Sequence, residues 1–277
     1  MLKKQGGQRP NVLGGLLGWL WLLVAIIPIY YIIVTSLRSQ ADYYVENPLA
    51  LPSNPTLRAY ITVFENDFWM YFANSVLVTV ATVAAVLVIA FMASYVIVRS
   101  RTRFSDRIFS MFLLGIAIPI QATIVPVYYL IVQMGLYDSL WAIILPSIAF
   151  AIPISVLILT NFLRDVPKEL FESMKVDGAT DWQMMWRLAA PLCKPALVTV
   201  GIYDALNVWN GFLFPLILTQ SANKRVLPLS LWNFQGSFSS DTPAILAAVV
   251  LSALPLIVAY TFGRRQMVAG LTAGVGK

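Results

Sequence analysis

The chain has 277 residues, 59% of them hydrophobic and only 12% charged, whereas an average globular domain is about half apolar and about a quarter charged. The net charge is +6, but there is no His and a single Cys, Cys193, so a His/Cys zinc site, a Cys/His nucleophile pair and a disulfide framework all lack their residues. The composition therefore predicts a membrane protein and excludes those kinds of metalloenzyme and thiol enzyme.

Six stretches of the sequence are long and apolar enough to cross a bilayer, which takes about 20 residues. In chain order they are residues 13–37, 69–98, 108–134, 140–163, 195–219 and 243–262. The first follows three positive residues but contains no small-residue cleavage site, so we expect it to be retained as a span. The predicted fold is all-α, a polytopic membrane protein in which residues 1–277 form one transmembrane domain.

The distribution of positive charge predicts how these spans are oriented. Fifteen of the 19 Lys and Arg lie in alternate segments, namely the N-terminus, residues 99–107, residues 164–194 and the segment after residue 262. Cytoplasmic segments carry the Lys and Arg excess because positive segments resist translocation. Both termini and these two loops are therefore predicted to be cytoplasmic, and residues 38–68, a turn near Asp138 and residues 220–241 to lie outside.

Prolines interrupt two of the predicted spans. Pro119 and Pro126 lie in the third span and Pro255 lies in the sixth. A proline inside a span frees backbone carbonyls, which other groups or water must satisfy. Such residues either line a pathway or shape helix packing, and the sequence leaves both interpretations open.

The cytoplasmic loop 164–194 is predicted to form two short amphipathic helices joined by a turn. Asp165 can cap the first helix, Pro167 suits its first turn, and Gly178 can supply the positive-φ residue that ends it. Within this helix Leu170, Met174 and Asp177 are predicted to lie near one face, with Phe171 and Lys175 on an adjoining ridge, so that the helix offers a partner an apolar ridge with Glu172 beside it. The second helix begins with the capping-box spacing of Thr180 and Gln183. The alternative is an ordinary solvated hairpin without a partner.

This loop resembles the EAA loop of ABC-importer permeases. The family pattern has Glu-Ala-Ala, a Gly six residues after the Glu, and a hydrophobic-x-Leu-Pro ending. Here Ser173 and Met174 replace the two alanines, and Ala190 precedes the final proline. The resemblance implies that the loop couples to an ATPase through Glu172, Asp177, Gly178, Ala179, Leu188 and Pro191.

Two further segments resemble carbohydrate-importer permeases. Residues 207–216 are similar to the Trp-Asn-Glu-Phe motif of span five, with Gly211 in place of the Glu. The end of the chain is similar to the Gly-Leu-Thr-Ala-Gly tail of the shorter permease in the maltose-type heterodimer, which implies ATPase contacts from Gly270, Leu271, Thr272 and Gly274. We expect the tail, residues 263–277, to be too rich in glycine to form a helix without a partner.

The resemblance covers essentially the whole chain and implies the architecture of an ABC type I importer in a bacterial cytoplasmic membrane. Its expected partners are a second, different permease, a dimeric ABC ATPase and an extracytoplasmic sugar-binding protein. ATP and Mg would be bound by the ATPase, and this chain is expected to bind no cofactor, to hold no metal and to be non-catalytic.

Two groups of residues are candidates for transport and docking. Asp204 is the only acid in the predicted spans and shares a helix face with Asn207 and Gly211. We expect a polar strip that faces the pathway or the partner permease; the alternative is a structural site that hydrogen-bonds one helix to another. The candidate pathway or substrate residues are Asp204, Asn207, Trp209, Asn210 and Gln121. The predicted outer loop, residues 220–241, is expected to face the binding protein through Trp232, Phe234 and Gly236, and the alternative is that it simply caps the pore.

Two other classes of function compete with this interpretation. A secondary transporter driven by an ion gradient normally pairs ionisable groups inside the membrane, and a lone Asp204 supports such a relay only weakly. An intramembrane enzyme needs a nucleophile with its base or a metal-ligand set, and the sequence offers neither arrangement. The sugar itself is not identified by any of these residues.

Overall fold

The computed structural model describes residues 12–100, 102–235 and 240–273, with side chains described as far as residue 261. Within these ranges the chain is mainly helical and contains no strand. Short 3₁₀ turns cover Ile120–Thr123, Ala222–Lys224 and Leu231–Phe234, and one π-helical turn covers Met185–Ala189. The α-helices are α1 Val12–Ser36, α2 Gln40–Val45, α3 Arg58–Glu65, α4 Phe68–Ser100, α5 Arg103–Ile116, α6 Ile124–Gln133, α7 Leu140–Arg164, α8 Lys168–Val176, α9 Asp181–Met184, α10 Ala190–Leu192, α11 Lys194–Trp209, α12 Leu213–Leu218, α13 Leu227–Ser230 and α14 Thr242–Ala273.

Four of these helices are long and apolar enough to cross a membrane. They are α1, α4, α7 and the part of α14 from Thr242 to Thr261, and they confirm the first, second, fourth and sixth predicted spans as long apolar helices. The pair of α5 and α6 makes a fifth candidate only if the two are counted together.

The third predicted span is a bent pair of helices instead of one continuous helix. The segments on either side of the break differ in direction by 93°, and Pro119 at the break has an extended backbone, with φ −70° and ψ 126°. Proline has no N–H to donate and disfavours a helical conformation in the residue before it. The chain therefore leaves α5 before Pro119 and resumes a helix only after it.

The fifth predicted span is interrupted as well. The helix α11 ends at Trp209 and α12 begins at Leu213, so the prediction of one helix over residues 195–219 was wrong. Pro215 cannot donate to the carbonyl four residues earlier, that of Gly211, and its ring would collide with that carbonyl in a continuous helix. The two pieces are too short to qualify separately as spans.

By its internal packing the described chain divides into two compact units. Unit 1 comprises the described parts of residues 1–66 and 233–251, and unit 2 comprises those of residues 67–232 and 252–277. In unit 1 the most apolar stretch of α1 is wholly exposed. The side chain of Arg38 organises the loop after α1, because Nη2 donates to the carbonyls of Asn47 at 2.8 Å and Ala50 at 2.5 Å, and Nε lies 3.3 Å from Glu46 Oε2.

Unit 2 is built around α4, α7 and α11. Ser94 Oγ in α4 donates to the carbonyl of Val156 in α7 at 3.2 Å. The helix α11 approaches α4 at Gly201, where an added Cβ would lie 3.4 Å from Leu87 Cδ1, in van der Waals contact. The same apolar core continues into the segment after α7, where Phe171 and Met184 are buried.

Candidate functional site

The first helix of the loop 164–194 ends in a Schellman motif. The N–H of Gly178 donates to the carbonyl of Lys175 at 3.1 Å, and the N–H of Ala179 donates to that of Met174 at 2.9 Å. Gly178 has φ +79°, the left-handed conformation that such an ending requires and that glycine adopts without strain. The prediction that Gly178 ends this helix with a positive φ is confirmed.

The start of this helix differs from the prediction. Asp165 is the C-cap of α7 and Pro167 is the N-cap of α8, which begins at Lys168. The prediction that Asp165 caps the first helix was therefore wrong. The backbone is extended at Pro167, with φ −56° and ψ 134°, so α8 begins only at Lys168.

The second helix begins with the predicted capping box. The Thr180 hydroxyl accepts from the N–H of Gln183 at 3.3 Å, and Gln183 Oε1 accepts from the N–H of Thr180 at 2.9 Å. This helix passes directly into the π-helical turn Met185–Ala189, which contains the half-buried Leu188. Both ends of the turn between the helices are thus fixed by hydrogen bonds.

The hairpin is attached to the C-terminal end of α4 by its aromatic side chains. Phe171 is 3% exposed, its ring lies 6.3 Å from that of Tyr95, and the Arg99 guanidinium lies 4.5 Å from its centroid. The Tyr95 hydroxyl donates to the carbonyl of Asp181 at 3.3 Å. In the second helix the ring of Trp186 lies 5.7 Å from that of Phe91. The hairpin is therefore packed against the protein on one side.

The opposite side of the hairpin is exposed. Glu172, Asp177, Gly178 and Pro191, four of the six predicted coupling residues, lie there, whereas Ala179 and Leu188 are half-buried. The predicted ridge was wrong for Phe171, which is buried, and for Met174, which packs against the same core, whereas Leu170 is exposed.

Val176 is the most exposed apolar residue described in α8, with 87% of its surface open to solvent. Its position four residues after Glu172 puts both on one helix face. Sequence reasoning missed this residue.

A cavity of about 280 Å³ in unit 2 is lined by parts of α7, α11 and α12. Asp204, Asn207 and Gly211 from the predicted polar strip all lie on its wall. Asp204 is 1% exposed, and its Oδ2 accepts a hydrogen bond from Ser155 Oγ at 2.9 Å. Other polar and aromatic groups on the wall are Ser147, Phe150, Tyr203, Phe212 and Phe214. The cavity thus combines hydrogen-bonding groups with aromatic rings.

Three of the predicted pathway residues do not line this cavity. Trp209 is 6% exposed; its indole N–H donates to the carbonyl of Ser252 at 3.0 Å, and its ring packs on Phe72 at 5.8 Å. Asn210 is exposed at the C-cap of α11, with Nδ2 donating to the carbonyl of Leu206 at 2.8 Å. Gln121 is exposed in the 3₁₀ turn that follows Pro119. The contacts of Trp209 are those of a packing residue.

The predicted docking residues of the outer loop lie in different surroundings. Trp232 is half-exposed and packs on Phe212 of the cavity wall, with ring centroids 5.5 Å apart. Phe234 is buried in unit 1, and its carbonyl accepts from the N–H of Asp241 at 3.0 Å. Gly236 lies outside the described residues.

The outer loop is held by residues that sequence reasoning did not select. Asn74 Nδ2 donates to the carbonyls of Asn223 at 3.0 Å and Arg225 at 2.9 Å. Asp138 Oδ1 accepts from the N–H groups of Gln220 at 2.8 Å and Ser221 at 2.9 Å, and Oδ2 accepts from the Ser221 hydroxyl. These hydrogen bonds hold the pKa of the Asp138 carboxyl below its ordinary value. Asp138 has φ +58°, a turn conformation that Asp tolerates better than most residues. In the sequence, the only sign of this site was a short polar turn.

The end of the chain is more helical than expected. The backbone of α14 continues to Ala273, through Gly270, Leu271 and Thr272, and Gly274 lies outside the described residues. The prediction that this tail is not helical without a partner was wrong as far as Ala273. Only two glycines fall between residues 263 and 273, and the good helix formers Arg, Gln, Met, Ala and Leu outweigh their cost of about 1 kcal/mol each.

Long apolar helices around a cavity, with a helical hairpin presented on a connecting loop, define a membrane permease. Residues 85–268 match the family described as binding-protein-dependent transport system inner membrane component. The chain belongs to this family and is a multi-pass inner-membrane protein.

Relatives with known names agree with this membership. ORF2 of Caldicellulosiruptor sp. (strain Rt8B.4), named as an ABC transporter permease protein, is 38% identical over 93% of this chain and 94% of its own length. The diacetylchitobiose uptake system permease protein DasC of Streptomyces coelicolor is 32% identical over 91% of this chain and 92% of its own.

Among solved structures the fold is similar to a chain of a bacterial ABC transporter involved in the import of the acidic polysaccharide alginate. The TM-score is 0.79, with 22% sequence identity over 95% of this chain and 99% of that chain. At this identity the comparison establishes the fold, which is that of an ABC-importer permease.

Proposed function

We propose that this chain is the transmembrane permease subunit of an ATP-driven importer and forms half of the translocation pathway for a sugar or oligosaccharide. An extracytoplasmic binding protein delivers the substrate, and a second, different permease forms the other half of the pathway. Residues 1–277 act as one permease domain. The proposal rests on the family membership, on relatives whose names include diacetylchitobiose uptake and on the hairpin described above.

In this proposal the chain crosses the membrane six times with both termini in the cytoplasm. The interrupted pair of α11 and α12 makes the fifth crossing, because broken helices are tolerated in a membrane where they line a cavity. The charge distribution, with fifteen of 19 Lys and Arg in alternate segments, supports this orientation. A cysteine in place of Asp106 should then label from the cytoplasm and one in place of Ala222 from outside, whereas labelling from the same side contradicts the topology.

The observation that carries the coupling role is the two-sided hairpin. Its inner side is fixed to α4 through Phe171 and Tyr95, and its outer side exposes Glu172 and Val176. A dimeric ABC ATPase seated on that outer side would bury Val176, at about 25 cal/mol per Å², and pair Glu172 with a basic group. ATP and Mg bind to the ATPase, and its closure shifts the permease between conformers that it binds with different affinity.

The cavity suits a hydroxylated ligand. The Asp204 carboxylate accepts hydrogen bonds from hydroxyl groups, Asn207 can accept or donate, and aromatic rings such as Phe212 pack against the apolar faces of sugars. The outer loop, with Trp232, Phe234 and Gly236, faces the binding protein, and the tail from Gly270 to Gly274 contacts the ATPase pair. These assignments belong to the same proposal.

Uptake by the complete importer in liposomes tests the proposal. The complex is reconstituted with its ATPase, and uptake of radiolabelled sugar is measured with its binding protein under two conditions, with ATP enclosed or with an imposed proton or sodium gradient. ATP-dependent uptake that requires the binding protein is expected. Uptake that follows the ion gradient without ATP would instead identify a secondary transporter.

A further inference from the structure

The helix α4 differs in composition from the other long apolar helices. Its 33 residues include neither Gly nor Pro, whereas α1 contains Pro28, α7 contains Pro146 and Pro153, and α14 contains Pro255. Glycine and proline are the residues that soften or kink a helix. At 1.5 Å per residue α4 extends for about 50 Å, so it is a stiff element longer than the hydrocarbon core of a bilayer.

The N-terminal end of α4 holds the loop that follows α12. Asn74 donates both of its described hydrogen bonds to carbonyls of this loop, at Asn223 and Arg225. The next residue, Ser75, is 3% exposed, and its Oγ accepts from the N–H of Leu227 at 2.9 Å. Two successive side chains of one helix therefore fix the backbone of residues 223–227.

The C-terminal end of α4 holds both helices of the hairpin. Tyr95 contacts the first helix through Phe171 and the second through the carbonyl of Asp181. Phe91 contacts the second helix through Trp186. Tyr95 lies 21 positions after Asn74, which corresponds to a rise of about 30 Å along the helix axis. This rise is close to the thickness of the hydrocarbon core.

We infer that α4 is the element that transmits the nucleotide state of the ATPase to the outer loop, with Asn74 and Tyr95 as positioning residues at its two ends. A displacement of the hairpin moves Tyr95, and a stiff helix carries that displacement to Asn74 and the backbone of residues 223–227. The inference rests on the proposed function, in which the hairpin faces the ATPase and the outer loop faces the binding protein. The inference assigns the link between the hairpin and the outer loop to the hydrogen bonds of Asn74 and Tyr95, whose described partners lie within this chain.

The test measures ATP hydrolysis by the complete importer with and without its sugar-loaded binding protein. Asn74→Asp replaces the amide donor by an acceptor that repels both carbonyls, and Tyr95→Phe removes the hydroxyl but keeps the ring. Each change should lower the stimulation by the binding protein about two- to tenfold, the effect of losing one or two hydrogen bonds, and leave basal hydrolysis unchanged. If Asn74→Asp does not assemble, Asn74→Ser removes the donor without adding a charge.

Matched controls separate this role from general damage. Asn66→Asp changes an amide whose Nδ2 donates at 2.8 Å to the carbonyl of Thr62 in its own helix, and Tyr129→Phe changes an exposed tyrosine. Both controls should be stimulated like the parent.

The outcomes distinguish the inference from the proposed function. If the binding protein stimulates hydrolysis by the parent complex and by the Asn74 and Tyr95 variants equally, the inference alone is overturned. A parent complex without any stimulation contradicts the proposed function and removes the inference with it.

Discussion

Ser155 Oγ in α7 donates a hydrogen bond to Asp204 Oδ2 in α11 over 2.9 Å, and both residues are buried. Asp204→Asn retains an oxygen that can accept this bond, so the importer should assemble normally. Transport should change, because the variant lacks the charged acceptor on the cavity wall. The measurement is the sugar concentration dependence of uptake, and unchanged kinetics would assign Asp204 to helix packing alone.

Ser155→Ala tests the same contact from the other side. It leaves the buried carboxylate without its described donor, which should lower the stability of the complex by about 1–3 kcal/mol. The control is Ser147→Ala, because the Ser147 hydroxyl donates within its own helix, to the carbonyl of Ile143 at 2.7 Å. Thermal unfolding in detergent compares the two variants, and equal stability would show that the Ser155 bond contributes nothing.

Gly178→Val should uncouple the importer. A β-branched residue at φ +79° is strained by about 1–2 kcal/mol and would distort the turn between the two helices of the hairpin. Gly135→Val is the matched control, because Gly135 has φ +69° and a Cβ added at either glycine would meet no heavy atom within 4 Å. Membrane insertion should survive both changes. ATPase association should fall only in Gly178→Val, and an equal fall in Gly135→Val would indicate nonspecific destabilisation.

The pKa of Asp138 gives a pH dependence. The Ser221 hydroxyl and the N–H groups of Gln220 and Ser221 favour the carboxylate and lower its pKa from the ordinary value of 3.8. The stabilisation is therefore fully present above pH 3.8 and is lost as the pH falls through the lower folded value. Asp138→Asn should flatten the decline in melting temperature on acidification, whereas Glu65→Gln, at another exposed carboxylate, should not. A decline as steep in Asp138→Asn as in the parent would contradict this account.

Trp209 should prove to be a packing residue. Trp209→Phe keeps a ring against Phe72 but loses the bond to the carbonyl of Ser252, so stability should fall by about 1 kcal/mol. Trp209→Ala should cost about 3–5 kcal/mol. Substrate preference measured by competition between sugars should stay the same in Trp209→Phe, and an altered preference would return Trp209 to the pathway.

The sequence predicted features that have a local cause. The end of α8 at Gly178 and the capping box of Thr180 and Gln183 depend on residues within one turn of each other, so their spacing was sufficient. Long apolar helices such as α4 and α7 were also predictable, because hydropathy over 20 residues does not depend on tertiary contacts. The positions of Asp204 and Asn207 on one cavity wall followed from helix geometry alone.

Features that depend on tertiary packing were not predictable in the same way. Helical spacing alone could not tell which face of α8 packs inward, so Met174 was assigned to the exposed ridge and Val176 was missed. The link from Asn74 to Arg225 joins residues 151 positions apart, and the sequence contains no pattern that pairs them. The break at Gly211 follows from Pro215, whose effect on the fifth span was overlooked because the segment is long and apolar enough to be predicted as one helix.

The most direct test of the central claim is co-purification of the ATPase with a Glu172→Lys variant of the complete importer, together with hydrolysis stimulated by the sugar-loaded binding protein. The control is Glu65→Lys, which makes the same change at an exposed Glu on the proposed outer side. We predict that Glu172→Lys inserts into the membrane but retains less ATPase or hydrolyses ATP with less stimulation, while Glu65→Lys behaves like the parent. Full ATPase retention and full stimulation in Glu172→Lys would contradict the assignment of this face of the hairpin as the coupling surface.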